Sequence, residues 1–132
     1  MSEVSVKVSG NCGDGTIDKT NKEIHSPNYP SHYKKNLDCY WTLSSTIGKQ
    51  IHLNVHIKQI EECGDNCSCD YLKIEGIDDR KSGRNSVSKM LCGSEKNHSI
   101  VSKTNILKLH FHSDRDASPM KGFKLTYAVH KN

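Results

Sequence analysis

The sequence predicts an all-β protein built as an antiparallel β-sandwich, and three observations carry that expectation. Apolar residues recur with period two and not with the period of a helix. Turn-forming stretches interrupt them at short intervals, and six cysteines stand in a chain whose hydrophobic fraction is only 33%. In chain order, CYWTLS puts Cys39, Trp41 and Leu43 on one strand face, and QIHLNVHIKQI alternates Ile51, Leu53, Val55 and Ile57 with His52, Asn54, His56 and Lys58. DYLKI sets Leu72 and Ile74 opposite Tyr71 and Lys73. Leu107, Leu109 and Phe111 then alternate with Lys108, His110 and His112, and Phe123, Leu125, Tyr127 and Val129 with Lys124, Thr126, Ala128 and His130. Alternation gives each strand one dry face, so the inward sets require an opposing sheet. SPNYP, STIGK, CGSEKN and SDRDASPMKG, rich in Gly, Pro, Ser, Asn and Asp, read as the turns between them.

At 132 residues the chain is the size of one domain. No apolar run approaches the roughly 20 residues that cross a bilayer, so no membrane insertion is expected. MSEVSVKVSG lacks the basic start and apolar stretch of a secretory signal and reads as the beginning of a mature segment, with Met1 and Ser2 set aside. The formal charge of +4, from 19 Lys and Arg against 15 Asp and Glu, is dispersed along the chain. Nucleic-acid binding calls for a concentrated basic stripe with stacking aromatics, which is absent, so no nucleic-acid partner is expected.

EECGDNCSCDYLKIEG crowds Cys63, Cys67 and Cys69 among Glu61, Glu62, Asp65 and Asp70. Thiolates suit zinc, but the usual structural site uses two CxxC-like knuckles, and here a single distant Cys92 follows. A catalytic thiol needs a lowered pKa, whereas the neighbouring carboxylates repel a thiolate. An even cysteine count in a small, polar, strand-rich chain is what an oxidising compartment favours, so the cysteines read as disulfides and the protein as secreted or extracellular. Spacing alone does not choose among the 15 pairings that six cysteines allow.

CGDGTI near the start, IHSPNYPSHYKKNLDCYWTL, GKQIHLNV, CDYLKIEG, LCGS, and finally LKLHFHSD with GFKLTY together resemble a CUB domain, in the family's order from about Cys12 to Tyr127. SPNYPSHY followed by C-x-W is the specific part; CG or SD alone is weak. The resemblance implies a jelly-roll-like sandwich of two sheets stapled by disulfides, a domain over residues 12–130, and an N-terminal extension over residues 1–11. It also implies pairing of the first two and the last two family cysteines, here Cys12 with Cys39 and Cys67 with Cys92. Cys63 and Cys69, which the four-cysteine family pattern lacks, are left for a third bridge, with a shuffled pairing through Cys69 and Cys92 still open. Loop-closure entropy assigns about 3.5 kcal/mol to the bridge spanning the 27 positions from Cys12 to Cys39 and about 2 kcal/mol to the one spanning the 6 from Cys63 to Cys69, so the short one is a local brace.

Many CUB domains hold Ca2+ at one end of the sandwich through a Glu after a strand, an Asp in the C-x-x-D stretch and an Asp in a later S-D turn. The matching positions are Asp70 in CSCDY and Asp114 in FHSDRD. For the Glu, apolar alternation selects Glu61 while counting back from Cys67 selects Glu62; the alternation is preferred. Tyr33 matches a family tyrosine that orients the acidic group, and Asp116 and Ser118 are candidate turn contributors. Calcium is hard and takes six to eight oxygens, which is why carboxylates, carbonyls and water suit it and sulfur does not. Taken singly each residue has a plainer role: Glu61 and Glu62 as solvated loop acids, Asp70 as a strand-start residue, Asp114 as a turn former, Tyr33 as packing.

The resemblance implies a non-catalytic extracellular protein-interaction module whose calcium-site acids anchor a Lys or Arg of a protein partner. The alternative is a calcium-free, spermadhesin-like module binding glycan or sulfated polysaccharide through Lys34, Lys35, Arg80, Lys81 and Arg84. Enzymatic motifs such as G-x-S-x-G, H-E-x-x-H and a phosphate loop are absent, and His110 and His112 share a polar strand face with no third ligand identifiable from sequence. Asn97-His-Ser99 and Asn66-Cys-Ser68 match the N-glycosylation pattern, the second inside the short cysteine loop.

Overall fold

The computed structural model describes residues 4–64, 66–79, 86–116 and 119–130. Among the described residues ten strands run in the order β1 (Ser5–Gly10), β2 (Ile17–Asp18), β3 (Glu23–His25), β4 (Asp38–Ser44), β5 (Gln50–Ile60), β6 (Tyr71–Ile77), β7 (Val87–Leu91), β8 (Gly93–Val101), β9 (Ile106–His112) and β10 (Gly122–His130). One five-stranded sheet has the order β1-β4-β9-β6-β7 and the other β2-β3-β10-β5-β8, with every pairing antiparallel. From β4 onward the chain changes sheet at almost every connection, so consecutive strands face each other across the core instead of lying side by side. This is the predicted two-sheet sandwich.

The inward residues are those that the alternation selects. Trp41, Leu43, Leu72, Ile74, Leu107 and Phe111 from one sheet meet Ile51, Leu53, Ile57, Phe123 and Leu125 from the other, each no more than 1% exposed. At the centre Phe123 takes edge-to-face contacts from Trp41 and Phe111, at ring-centroid distances of 5.8 and 5.3 Å. The single tryptophan satisfies its indole N–H on the Thr16 hydroxyl at 3.0 Å. Strand β10 is held at its start by Ser26, whose Oγ accepts from the Phe123 N–H at 3.0 Å; Gly122, at φ 83°, runs so close that a Cβ there would strike the Ser26 side chain.

Two of the segments that differ from the sequence expectation are edge strands. Residues before Cys12 were expected to extend from the domain, but Ser5–Gly10 form an edge strand in register with β4 from Ser44 to Cys39. Val6 and Val8 alternate with Lys7 and Ser9 and pack against the core, an alternation too short to stand out against its polar surroundings. CGSEKN was expected to be a turn, but its residues from Gly93 onward open the nine-residue edge strand β8, paired with β5. The turn itself is only Cys92 with Gly93 at φ 102°, where the chain steps from one sheet to the other. An edge strand with one wet face and few core contacts carries Ser, Glu, Lys and Asn as readily as a loop does, which hides it from composition. No helix among the described residues is long and apolar enough to cross a membrane.

Three disulfides close the framework: Cys12–Cys39, Cys63–Cys69 and Cys67–Cys92, with Cα separations of 5.4, 5.5 and 5.7 Å. The first ties the amino-terminal segment to β4. The third ties the loop before β6 to the corner between β7 and β8.

Candidate functional site

Both sheets contribute to one end of the sandwich. Glu61 follows the last residue of β5, Asp70 precedes the first of β6, Asp114 lies two residues beyond β9, and Tyr33 sits in the long connection between β3 and β4. The strands end here because CGDNCSC and SDRD cannot continue an apolar alternation, so the acids at those ends converge as a consequence of the sheet geometry. One carboxylate oxygen from each of Glu61, Asp70 and Asp114 lies within 4.8 Å of the other two.

Asp70 is the centre of the group and is 1% exposed. Its Oδ2 accepts from the Tyr33 hydroxyl at 2.5 Å and its Oδ1 from the Asp114 backbone N–H at 2.8 Å. The Tyr33 oxygen in turn accepts the Glu61 backbone N–H at 3.2 Å, so one phenol links two of the acids. Its ring stands edge-on to Phe111, centroids 5.0 Å apart, which fixes the hydroxyl from the core side. The Asp114 turn closes through its own Oδ1, which accepts the Asp116 N–H at 2.9 Å.

The electrostatics follow from this arrangement. Burial pushes the Asp70 carboxyl above its ordinary value; the hydrogen bonds from Tyr33 and Asp114 oppose that rise, and the negative charges of Asp114 and Glu61 add to it. Burial also pushes the Tyr33 phenol well up, assisted by its bond to Asp70, so it remains a donor at any physiological pH. Three carboxylates held together, one of them desolvated, present the oxygen donors that a hard cation takes.

Among the expected contributors, Glu62 is exposed and lies outside this group of three, Asp116 is exposed and donates its backbone N–H to Asp114, and Ser118 lies outside the described residues. Glu61 also lies near Cys63 and Cys69, but those sulfurs are bonded to each other, which removes the thiolate ligands of the zinc alternative. Lys34 and Lys35 are exposed, whereas Arg80, Lys81 and Arg84 lie outside the described residues, as does Asp65. Asn97 is exposed on β8, its Oδ1 2.8 Å from His56 Nδ1, and Asn66 is exposed between the bonded Cys63 and Cys69.

Sequence reasoning missed Ser113. It is 1% exposed; its Oγ donates to the Lys34 carbonyl at 2.7 Å and accepts the Leu37 N–H at 2.9 Å, while its own N–H reaches the Leu37 carbonyl at 3.0 Å. With the Asn36 N–H on the Asp114 carbonyl at 2.8 Å, these bonds stitch the Tyr33 connection to the Asp114 turn. The only signal was the serine of FHSD, a residue type common in every turn.

Residues 12–127 match the family model of the CUB domain. The chain belongs to the CUB domain family. Over 106 residues, 80% of its length, it is 38% identical to cubilin of Rattus norvegicus, and over 116 residues, 88% of its length, 36% identical to bone morphogenetic protein 1 of Xenopus laevis. It spans 3% of the first and 16% of the second, so the similarity concerns one module of much longer chains. Among solved structures, the MASP-1 CUB2 domain bound to Ca2+ superposes with a TM-score of 0.64 at 28% identity, covering 80% of this chain and 88% of that one. A CUB domain is a non-catalytic module, typically one that mediates protein interactions.

Proposed function

We propose that this CUB domain is an extracellular, calcium-dependent protein-interaction module. Glu61, Asp70 and Asp114 hold the ion, Tyr33 orients Asp70, and the exposed edges of Glu61 and Asp114 accept a Lys or Arg of the partner. The observation that carries the reading is the buried Asp70 carboxylate within 4.8 Å of two further carboxylates. Such a cluster repels itself without a cation, and its donors are all oxygens. The Ca2+-bound MASP-1 CUB2 domain, 28% identical, supports the same ion here. Three disulfides in so small a core support an oxidising, extracellular setting. When bound, the ion would cancel the mutual repulsion of the three acids and hold the β5–β6 and β9–β10 loops in one arrangement. A partner's ammonium or guanidinium then meets carboxylates already ordered, a charge-assisted contact of modest strength that gains affinity when modules are repeated.

The test is nuclear magnetic resonance of chelator-stripped, isotope-labelled chain titrated first with Ca2+ and then with Nα-acetyl-lysine amide as the minimal basic probe. Saturable shifts at Glu61, Asp70 and Asp114 with Ca2+, and a further shift there with the lysine probe that EDTA abolishes, are the expected result. No response to Ca2+ overturns the calcium site; a response to Ca2+ without one to lysine overturns the basic anchor.

A further inference from the structure

A second group of metal-ligating side chains lies away from the acidic loops, on the outer face of the sheet β1-β4-β9-β6-β7. His110 and His112 are two residues apart on β9 and therefore share a face. Asp38 opens β4, the neighbouring strand, directly across from His112 in the register. Its Oδ1 lies 2.8 Å from His110 Nε2 and 2.9 Å from His112 Nδ1, so one carboxylate oxygen sits between two imidazole nitrogens.

We propose that Asp38, His110 and His112 form a second divalent-metal site, selective for Zn2+ and similar borderline transition ions over Ca2+. The spacing suits it. Zn2+ binds imidazole nitrogen and carboxylate oxygen at about 2.0 to 2.2 Å, which places tetrahedral donors about 3.3 Å apart, and the three ligand atoms here all lie within 4.8 Å of one another. The ion would enter with small side-chain rotations while each neutral ring moves its proton to the nitrogen turned away from the metal. Two imidazoles and one carboxylate are a donor set that Ca2+ takes poorly and Zn2+ or Cu2+ takes well.

The rings are held in place before any ion arrives. His110 stacks on Tyr40, with centroids 4.3 Å apart and planes 14° from parallel, and receives the edge of Tyr71 from the other side at 5.5 Å. His112 stacks on the same Tyr71 at 5.1 Å. The Asp38 backbone is clamped by Asn11, whose Oδ1 accepts the Asp38 N–H at 2.9 Å and whose own N–H reaches the Asp38 carbonyl at 3.2 Å. Such outer contacts are what orient metal ligands elsewhere. Desolvation works against ionising the Asp38 carboxyl, but the hydrogen bonds from His112 and His110 outweigh it and hold the group below its ordinary value, so the ligand is anionic at neutral pH. The three side chains keep 47, 23 and 30% of their surface exposed, in the order Asp38, His110, His112, which leaves a route in and at least one coordination position for water or a donor from another molecule. Lys73 stands across from His110 in the register of β6, and Glu75 follows two residues further on.

The experiment uses the whole disulfide-bonded chain with Ca2+ in excess, so that the acidic loop site is saturated, and titrates it with ZnCl2 by calorimetry and with CoCl2 by visible absorption. Expected are one Zn2+ per chain, a ligand-field band for Co2+, and selective perturbation of the His110 and His112 imidazole nitrogens in the wild-type protein. Asp38→Asn, His110→Gln and His112→Gln should each weaken Zn2+ binding by at least about tenfold, while His56→Gln leaves it unchanged. Absence of Zn2+ binding in excess Ca2+, or imidazole shifts at other histidines in the unmutated protein, would each overturn the site. The wild-type resonance measurement decides the matter even if a variant fails to fold.

Discussion

Replacing Asp114 by Asn separates a carboxylate that holds an ion from one that merely shapes a turn. The amide keeps the carbonyl oxygen that accepts the Asp116 N–H at 2.9 Å and removes one negative charge within 4.8 Å of two others. At that distance and an effective dielectric of about 20, each like-charge pair repels by about 3 kcal/mol before screening. Asp114 and Glu61 are only partly buried, so solvent reduces the net relief to about 1 kcal/mol in all. In EDTA, Asp114→Asn should therefore be as stable as the wild type or up to about 1 kcal/mol more stable, roughly 4 °C in Tm for a domain of this size. With Ca2+ at about 100 times the wild-type Kd, the wild type gains about 2.7 kcal/mol, whereas a variant binding about a hundredfold more weakly gains only about 0.4 kcal/mol. The order of stability inverts between the two conditions. Differential scanning calorimetry of stripped protein, with and without Ca2+, reads both numbers. A variant markedly less stable than the wild type in EDTA, or a wild type whose Tm ignores Ca2+, would refute the reasoning.

Further outcomes follow from the same geometry. Tyr33→Phe keeps the edge-on packing against Phe111 but strips Asp70 of a donor and Glu61 N–H of an acceptor; it should cost about 1–2 kcal/mol in urea unfolding and lower Ca2+ affinity severalfold by calorimetry. Because the folded Asp70 carboxyl titrates above its ordinary value of 3.8, the calcium-free native state binds that proton more tightly than the unfolded chain does. Asp70's contribution to calcium-free stability therefore improves as pH falls from above the raised value toward about 4, and Ca2+ binding weakens over the same window with release of a proton. Unfolding at pH 7 and pH 5, with and without Ca2+, checks the sign, and Asp70→Asn should flatten it. Replacing Cys63 and Cys69 together by Ser should cost at most about 2 kcal/mol, measured by denaturant midpoint, and should leave the Cys12–Cys39 and Cys67–Cys92 bridges in place on peptide mapping.

The sequence by itself determined the sandwich, because a strand with one dry face writes its orientation into every second residue: Ile51 to Ile57, Leu107 to Phe111 and Phe123 to Tyr127 all point where their alternation says. It also marked the carboxylates Asp70 and Asp114, since each stands beside a cysteine or serine motif shared with the CUB family. The edge strands β1 and β8 escaped because an edge buries too little to need a pattern. The tertiary structure decided which glutamate faces Asp70, what Ser113 holds together, and above all that Asp38 stands between His110 and His112, partners 72 and 74 positions away. A register between strands distant in sequence is set by the packing of both sheets at once, and no local run of residues carries it.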